Sequence, residues 1–186
     1  MNASYAQYYI EQDLKLLNTD YVDLLAIHHR CASPEETAEV WTALEAALHK
    51  GQAKAIGVSN FDATDLAQLQ AVAKEPISVN EAHFAVGVMD YDTIKFAKEH
   101  NIQLISFSSL SAGVPMTNAV ITAVATRHTV SNAAVRLKYI SAHGISVLSS
   151  MSDDPEYAEE DIGIFDFDLT AADMKDLDVL QTGKRT

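Results

Sequence analysis

Five short apolar runs, each closing on polar residues, constrain this chain more than any other feature. The first is the stretch Tyr21-Val-Asp-Leu-Leu-Ala-Ile-His28-His29, in which Asp23 alone breaks the apolar series before the histidine pair. A continuous run of this kind suits a strand buried on both faces of a parallel sheet better than an alternating surface strand. Four more runs follow: residues 53–58 closing on Ser59-Asn60-Phe61, 77–79 closing on Asn80, Glu81 and His83, 102–107 closing on Ser108-Ser109, and 145–148 closing on Ser149-Ser150.

Helical patterns separate the runs. Residues 4–17 carry a stripe of Tyr8, Ile10, Leu14 and Leu17, with Ser4 expected as N-cap. Ser33-Pro34-Glu35-Glu36 is a strong helix start, with a capping serine, proline in the first turn and acids at the positive dipole end. That helix runs past Val40, Trp41, Leu44 and Leu48 to Gly51, and Trp41 is expected in the core. Further helices are expected over 62–73, 90–100, 119–125, 131–142, 155–160 and 170–180. The strand–helix alternation at 25- to 40-residue spacing is that of βαβ units, so successive strands should lie side by side in one parallel sheet. The expected fold is a single α/β domain over 1–186, a partial parallel β/α barrel of about five strands where a closed one takes eight.

Charge narrows the partners. The net charge of -13 and pI near 4.7 argue against nucleic acid and anionic membrane surfaces, which favour basic patches. Between Asp153 and Asp178 the acids form a run relieved only by Lys175, expected to be a solvated helical face. Cys31 is the only cysteine, which suits a reducing, cytoplasmic compartment and rules out an intrachain disulfide. The first residues show no signal-peptide pattern, and no stretch is long enough to span a bilayer.

The strand ends therefore gather His28, Ser59, Asn60, Asn80, Glu81, Ser106, Ser108, Ser149 and Ser150 along one rim, a pattern that points to a polar small-molecule site. No Gly-rich phosphate loop is present, since Gly57-Val-Ser-Asn-Phe lacks the required spacing. His28, His29 and Glu81 have no metal-ligand spacing, and His128 and His143 are expected at helix ends or on the surface. A small-molecule enzyme leads among the readings, and a non-catalytic binding module is second.

At these residues the chain resembles the aldo-keto reductases. Asp23-Leu-Leu-Ala-Ile-His28 resembles that family's fourth barrel strand, and Gly51-Gln-Ala-Lys-Ala-Ile-Gly-Val-Ser-Asn-Phe61 its fifth, with the Gly-x-Ser-Asn-Phe signature. Val79-Asn-Glu81, Ile105-Ser-Phe-Ser-Ser-Leu110 and Asp166-Phe-Asp-Leu-Thr170 resemble later segments in order. The resemblance covers strands four to eight. The part of the family fold that carries the catalytic Asp, Tyr and Lys lies outside it, so the domain is expected to be truncated.

The resemblance implies an NAD(P)-dependent oxidoreductase acting on a small-molecule aldehyde or ketone. His28 would be the catalytic histidine that orients the carbonyl. The cofactor-binding set would be Ser59 and Asn60 for the carboxamide, Glu81 where a Gln is usual, Phe107 stacking on the nicotinamide, then Ser108, Leu110 and Glu159. At the phosphate end Ser149-Ser150-Met151 replaces the family's Pro-Lys-Ser, and acids including Glu156 and Glu159 stand near its arginine position. Weak binding of NADP is therefore expected, with NAD less penalised. A pseudoenzyme with a binding or regulatory role, and self-association through open sheet edges, are the expected alternatives.

Overall fold

The computed structural model describes residues 2–149 and 155–181. It is an α/β chain in which five parallel strands follow one another across a single sheet, in the order β1-β2-β3-β4-β5. The chain divides into two compact units, one of Met1–Glu81 and Asp92–Gln103, the other of Ala82–Tyr91 and Leu104–Thr186.

The first unit opens with α1 (Ala3–Leu17), which buries Ala6, Ile10 and Leu14 at successive fourth positions. This corrects the expected stripe: Tyr8 and Leu17 face out, and the cap is Asn2, not Ser4. The Asn2 carboxamide oxygen accepts the Tyr5 N–H at 3.0 Å, satisfying one of the helix's free donors. Asn18 then closes the helix in the left-handed conformation, which Asn tolerates better than most residues.

β1 (Val22–Ile27) pairs in parallel register with β2 (Ala53–Ser59), from Val22 opposite Ala53 to Ile27 opposite Val58. α2 (Pro34–His49) crosses between them, capped by Ser33, whose hydroxyl accepts the Glu36 N–H at 3.2 Å. Trp41 is 1% exposed, as expected of a core residue. Glu45 is also buried on this helix, and its carboxylate accepts the N–H groups of Lys74 and Glu75, ordering the turn before the next strand. α3 (Ala63–Gln70) begins at Asp62 with a full capping box.

β3 (Val79–His83) starts later than expected, so Asn80 and Glu81 lie within the strand and not beyond its end. They pair with Val58 and Ser59. α4 (Tyr91–Glu99) leads to β4 (Gln103–Phe107).

In the second unit α5 (Ala119–His128) and α6 (Asn132–Ala142) precede β5 (Ser146–Val147), a two-residue strand where four residues were expected. β5 pairs with β4 through Ile105–Ser146 and Ser106–Val147. α7 (Pro155–Gly163) and α8 (Ala171–Asp178) follow. Asp173 of α8 is buried and accepts from Thr170, Arg127 and His128, tying the start of α8 to the end of α5. Burial alone would raise its pKa, but the hydrogen bonds from Thr170, His128 and Arg127 outweigh burial and hold the carboxyl well below its usual range. His128 is thus at a helix end but is held inward, not on the surface.

Candidate functional site

His28, Ser59, Asn60 and Glu81 come together in the first unit. The parallel register brings the ends of β1 and β2 level and sets Ser59 opposite Glu81. Asn60 follows in the left-handed conformation, φ 63°, which turns its backbone out of the sheet. Its N–H donates to the Glu81 carbonyl at 2.8 Å, and the Ser59 hydroxyl donates to the same oxygen at 2.9 Å. The Asn60 Nδ2 group donates to the His28 carbonyl and to Ser59 Oγ, both at 2.9 Å. The Asn60 carboxamide therefore joins the ends of β1 and β2, while its backbone N–H and the Ser59 hydroxyl hold them to Glu81 of β3.

His28 itself is exposed, its ring tilted against that of His29 with centroids 4.1 Å apart. Cys31 faces neither histidine in any described contact. It lines a cavity of about 40 Å³ with Arg30, Ser33, Thr37, Phe61 and Asp65, and its N–H donates to Thr37 Oγ1. A space of that size suits about one water molecule, not a substrate.

Asn80 has a different role from the rim position expected of it. It is fully buried, and its Nδ2 donates to the Phe61 carbonyl at 2.8 Å while its Oδ1 accepts the Phe61 N–H. It braces the turn that presents Ser59 and Asn60. The sequence signal was an Asn inside a β-run, where it is unfavourable unless its amide is used.

The second unit holds Phe107, Ser108, Leu110 and Glu159. Phe107 ends β4, half-buried, with the His83 ring edge-on to it at 5.5 Å. Ser108 is exposed at φ 55°, and its carbonyl accepts from Ser111. Leu110 packs against Ala134, Leu137 and Ile164, beside Phe167, so its side chain serves the core of that unit. Ser106 is buried, against the expectation of a rim residue: its hydroxyl donates to the Phe84 carbonyl and meets Ser109 Oγ at 2.6 Å. Glu159 is exposed on α7, whose other charged residues, Glu156, Glu160 and Asp161, are also acidic. Ser150, Met151, Asp153 and Asp154 lie outside the described residues.

Among the described residues no group of three or more His, Cys, Asp or Glu side chains could hold a metal ion. No helix among them is long and apolar enough to cross a membrane.

The model of the aldo/keto reductase family matches residues 1–181. The chain belongs to that family. A glyoxal reductase of Bacillus subtilis (strain 168) is 32% identical over 175 residues, 94% of this chain and 62% of the relative. An aldo-keto reductase from a Medee basin deep-sea metagenome library, MGS-M4, superposes with a TM-score of 0.91 at 28% identity, over 100% of this chain and 68% of that one. A variant of Gox0644 crystallised with NADPH superposes with a TM-score of 0.86 at 26% identity, over 95% and 65% of the two chains. This aldo/keto reductase chain thus spans about three fifths of the curated relative's length.

Proposed function

We propose that this chain is an NAD(P)-dependent carbonyl oxidoreductase with His28 as its catalytic histidine, catalytically incomplete by itself and acting on a small aldehyde or ketone in the cytoplasm. The observation that carries the proposal is the Asn60 clasp, which joins the ends of β1 and β2 and holds them to Glu81 of β3. It sets a serine and an asparagine side by side, as recognition of a carboxamide requires. The donor set fits such a group. Asn60 Oδ1 accepts no hydrogen bond among the described residues, and the Asn60 and Ser59 donors rest on backbone carbonyls and on each other, so they can exchange those partners for a ligand without being stranded meanwhile.

The nicotinamide, when bound, supplies the hydride. Ser59 and Asn60 would hold its carboxamide, Glu81 would take the place of the usual Gln, and Phe107 would offer a ring face without a hydroxyl. His28 would hydrogen-bond the substrate carbonyl and support proton delivery to it. Its exposure leaves the imidazole free to do so. The family's proton donor has no counterpart among the matched motifs, and loss of such stabilisation at a developing oxyanion costs orders of magnitude in rate. NADPH, found with one solved relative, would bind weakly here, because α7 offers only acids where a 2′-phosphate would want a base.

That acidic α7 also favours the second reading, a non-catalytic binding or regulatory module. Self-association belongs to either reading. β1 pairs only with β2 among the described residues, and its single charge, Asp23, is neutralised by Lys54 at 2.7 Å, so its open edge carries little to repel a second copy.

Calorimetry with NADH and NADPH tests the proposal, followed by carbonyl reduction with the wild type and His28→Ala. We expect weak saturable binding, NADH ahead of NADPH, and residual turnover that falls at least tenfold in His28→Ala with cofactor affinity unchanged. Tight NADPH binding would remove the 2′-phosphate argument, and no binding at millimolar cofactor would leave the module reading.

A further inference from the structure

α7 turns an apolar stripe to solvent. Ala158 and Ile162 of the helix, and Phe165 in the turn just beyond it, stand at the i, i+4, i+7 spacing of one helical face. The Phe165 N–H donates to the Ile162 carbonyl at 3.2 Å, so the turn carries that face onward. All three side chains are exposed, Ile162 at 70% and Phe165 at 72%. A surface helix ordinarily lays such a stripe on the core. Here Ile164, just past the helix, meets the core instead, packed on Ala134 and Leu137 of α6. No residue of α7 itself is buried. An isolated helix of nine residues is marginal in water, and one that buries no side chain gains little from packing. The face is built to be covered.

Charge says by what. By the same helical spacing Asp161 falls within the stripe and Glu159 on its flank. Glu159, Glu160 and Asp161 form no ion pair among the described residues. Three bases of the same unit are engaged elsewhere. Arg127 pairs with Asp173 and Asp176, and Lys138 with Asp168 at 2.9 Å. Arg136 of α6, 1% exposed, donates to the backbone carbonyls of Val114 at 2.9 Å, Ser109 at 3.4 Å and Ala112. The occupant must therefore bring both apolar side chains and positive charge. A second copy, with 26 acidic residues against 13 basic, is a poor source of that charge. An anionic lipid surface would be repelled by the same acids.

We propose that the Ala158–Ile162–Phe165 face docks a cationic amphipathic segment of another protein. Its apolar side chains lie on the stripe, and its Lys or Arg side chains meet Glu159 and Asp161. The surface is separate from the oxidoreductase reading above, and the test uses no cofactor.

The probe is a fluorescent peptide of leucine and lysine patterned as an amphipathic helix, with oligolysine as the purely cationic control. Both are titrated at low and high salt into wild type, Ile162→Ser, Phe165→Ser and the double variant Glu159→Gln/Asp161→Asn. Wild type should bind the leucine–lysine peptide more tightly than oligolysine. Each serine variant should lose about tenfold in affinity for that peptide while keeping its salt dependence, and the double variant should show a flatter one. Ile162 and Phe165 are already in water, so the serine variants should keep the wild-type circular dichroism. If one of them unfolds, the wild-type amide NMR shifts on peptide addition decide, and they should centre on residues 157–165. Wild type that leaves the leucine–lysine peptide unbound overturns the proposal. So does a folded serine variant that binds as tightly, or oligolysine that binds equally well. Sedimentation velocity of the chain alone covers the remaining occupant: self-association that Ile162→Ser abolishes would assign the face to a second copy and overturn the cationic partner.

Discussion

β1 and β2 are neighbours in perfect parallel register, and by composition β1 is the more apolar. The structure reverses the order of burial. β2 buries Ile56 and Val58 completely, whereas in β1 only Ile27 is buried and Leu24 is 37% exposed. β2 has a strand on each side, while β1 has one on one side only among the described residues. An apolar run therefore records what a strand can tolerate, and the neighbours decide what it receives. The contrast reaches the chemistry. Ser59 at the end of β2 is enclosed and fully bonded, while His28 at the end of β1 is held by its carbonyl and leaves its ring exposed.

The contrast can be broken from the buried side first. Ile56→Ala in β2 should cost about 3 kcal/mol by urea denaturation, since a fully enclosed side chain leaves a cavity its neighbours cannot fill. A loss below about 1 kcal/mol would mean that β2 is no better packed than β1. Asn80→Ala should cost about 2 kcal/mol, because both polar groups of Phe61 lose their buried partner. It should also weaken nicotinamide binding through the displaced Ser59–Asn60 turn. An unchanged affinity would show that the turn stands without its brace.

The smallest effect belongs to the exposed strand. Leu24→Lys should cost no more than about 1 kcal/mol, since at 37% exposure the lysine stem can keep part of the leucine's contact while its charge reaches water. Sedimentation velocity should nonetheless show less self-association, because an edge lysine discourages strand addition. A large loss of stability would mean that β1 is covered in solution.

Much of the site was readable because its parts are local. The Gly-x-Ser-Asn-Phe stretch fixes a strand end, a left-handed Asn and a capped helix within a few residues, and each uses chemistry particular to those side chains. Asn80 and Ser106 were legible as polar residues near strand ends but not as buried braces. Their partners, the backbone of Phe61 and of Phe84, lie 19 and 22 residues away. Arg136 carried no sequence signal of its own, since an arginine on a helix is usually a solvated one.

By itself, then, the sequence determined the alternation of strands and helices, the helix starts at Ser33, Ser131 and Thr170, and the polar residues that end each run. Those features depend on period, turn and cap chemistry acting over a few residues. Only the tertiary structure decided that β1 has a strand on one side alone among the described residues, that Asn80 points inward, and that three distant carbonyls converge on Arg136. Burial and charge compensation are properties of the neighbours that folding brings together, and a residue's own identity sets only the cost of lacking them.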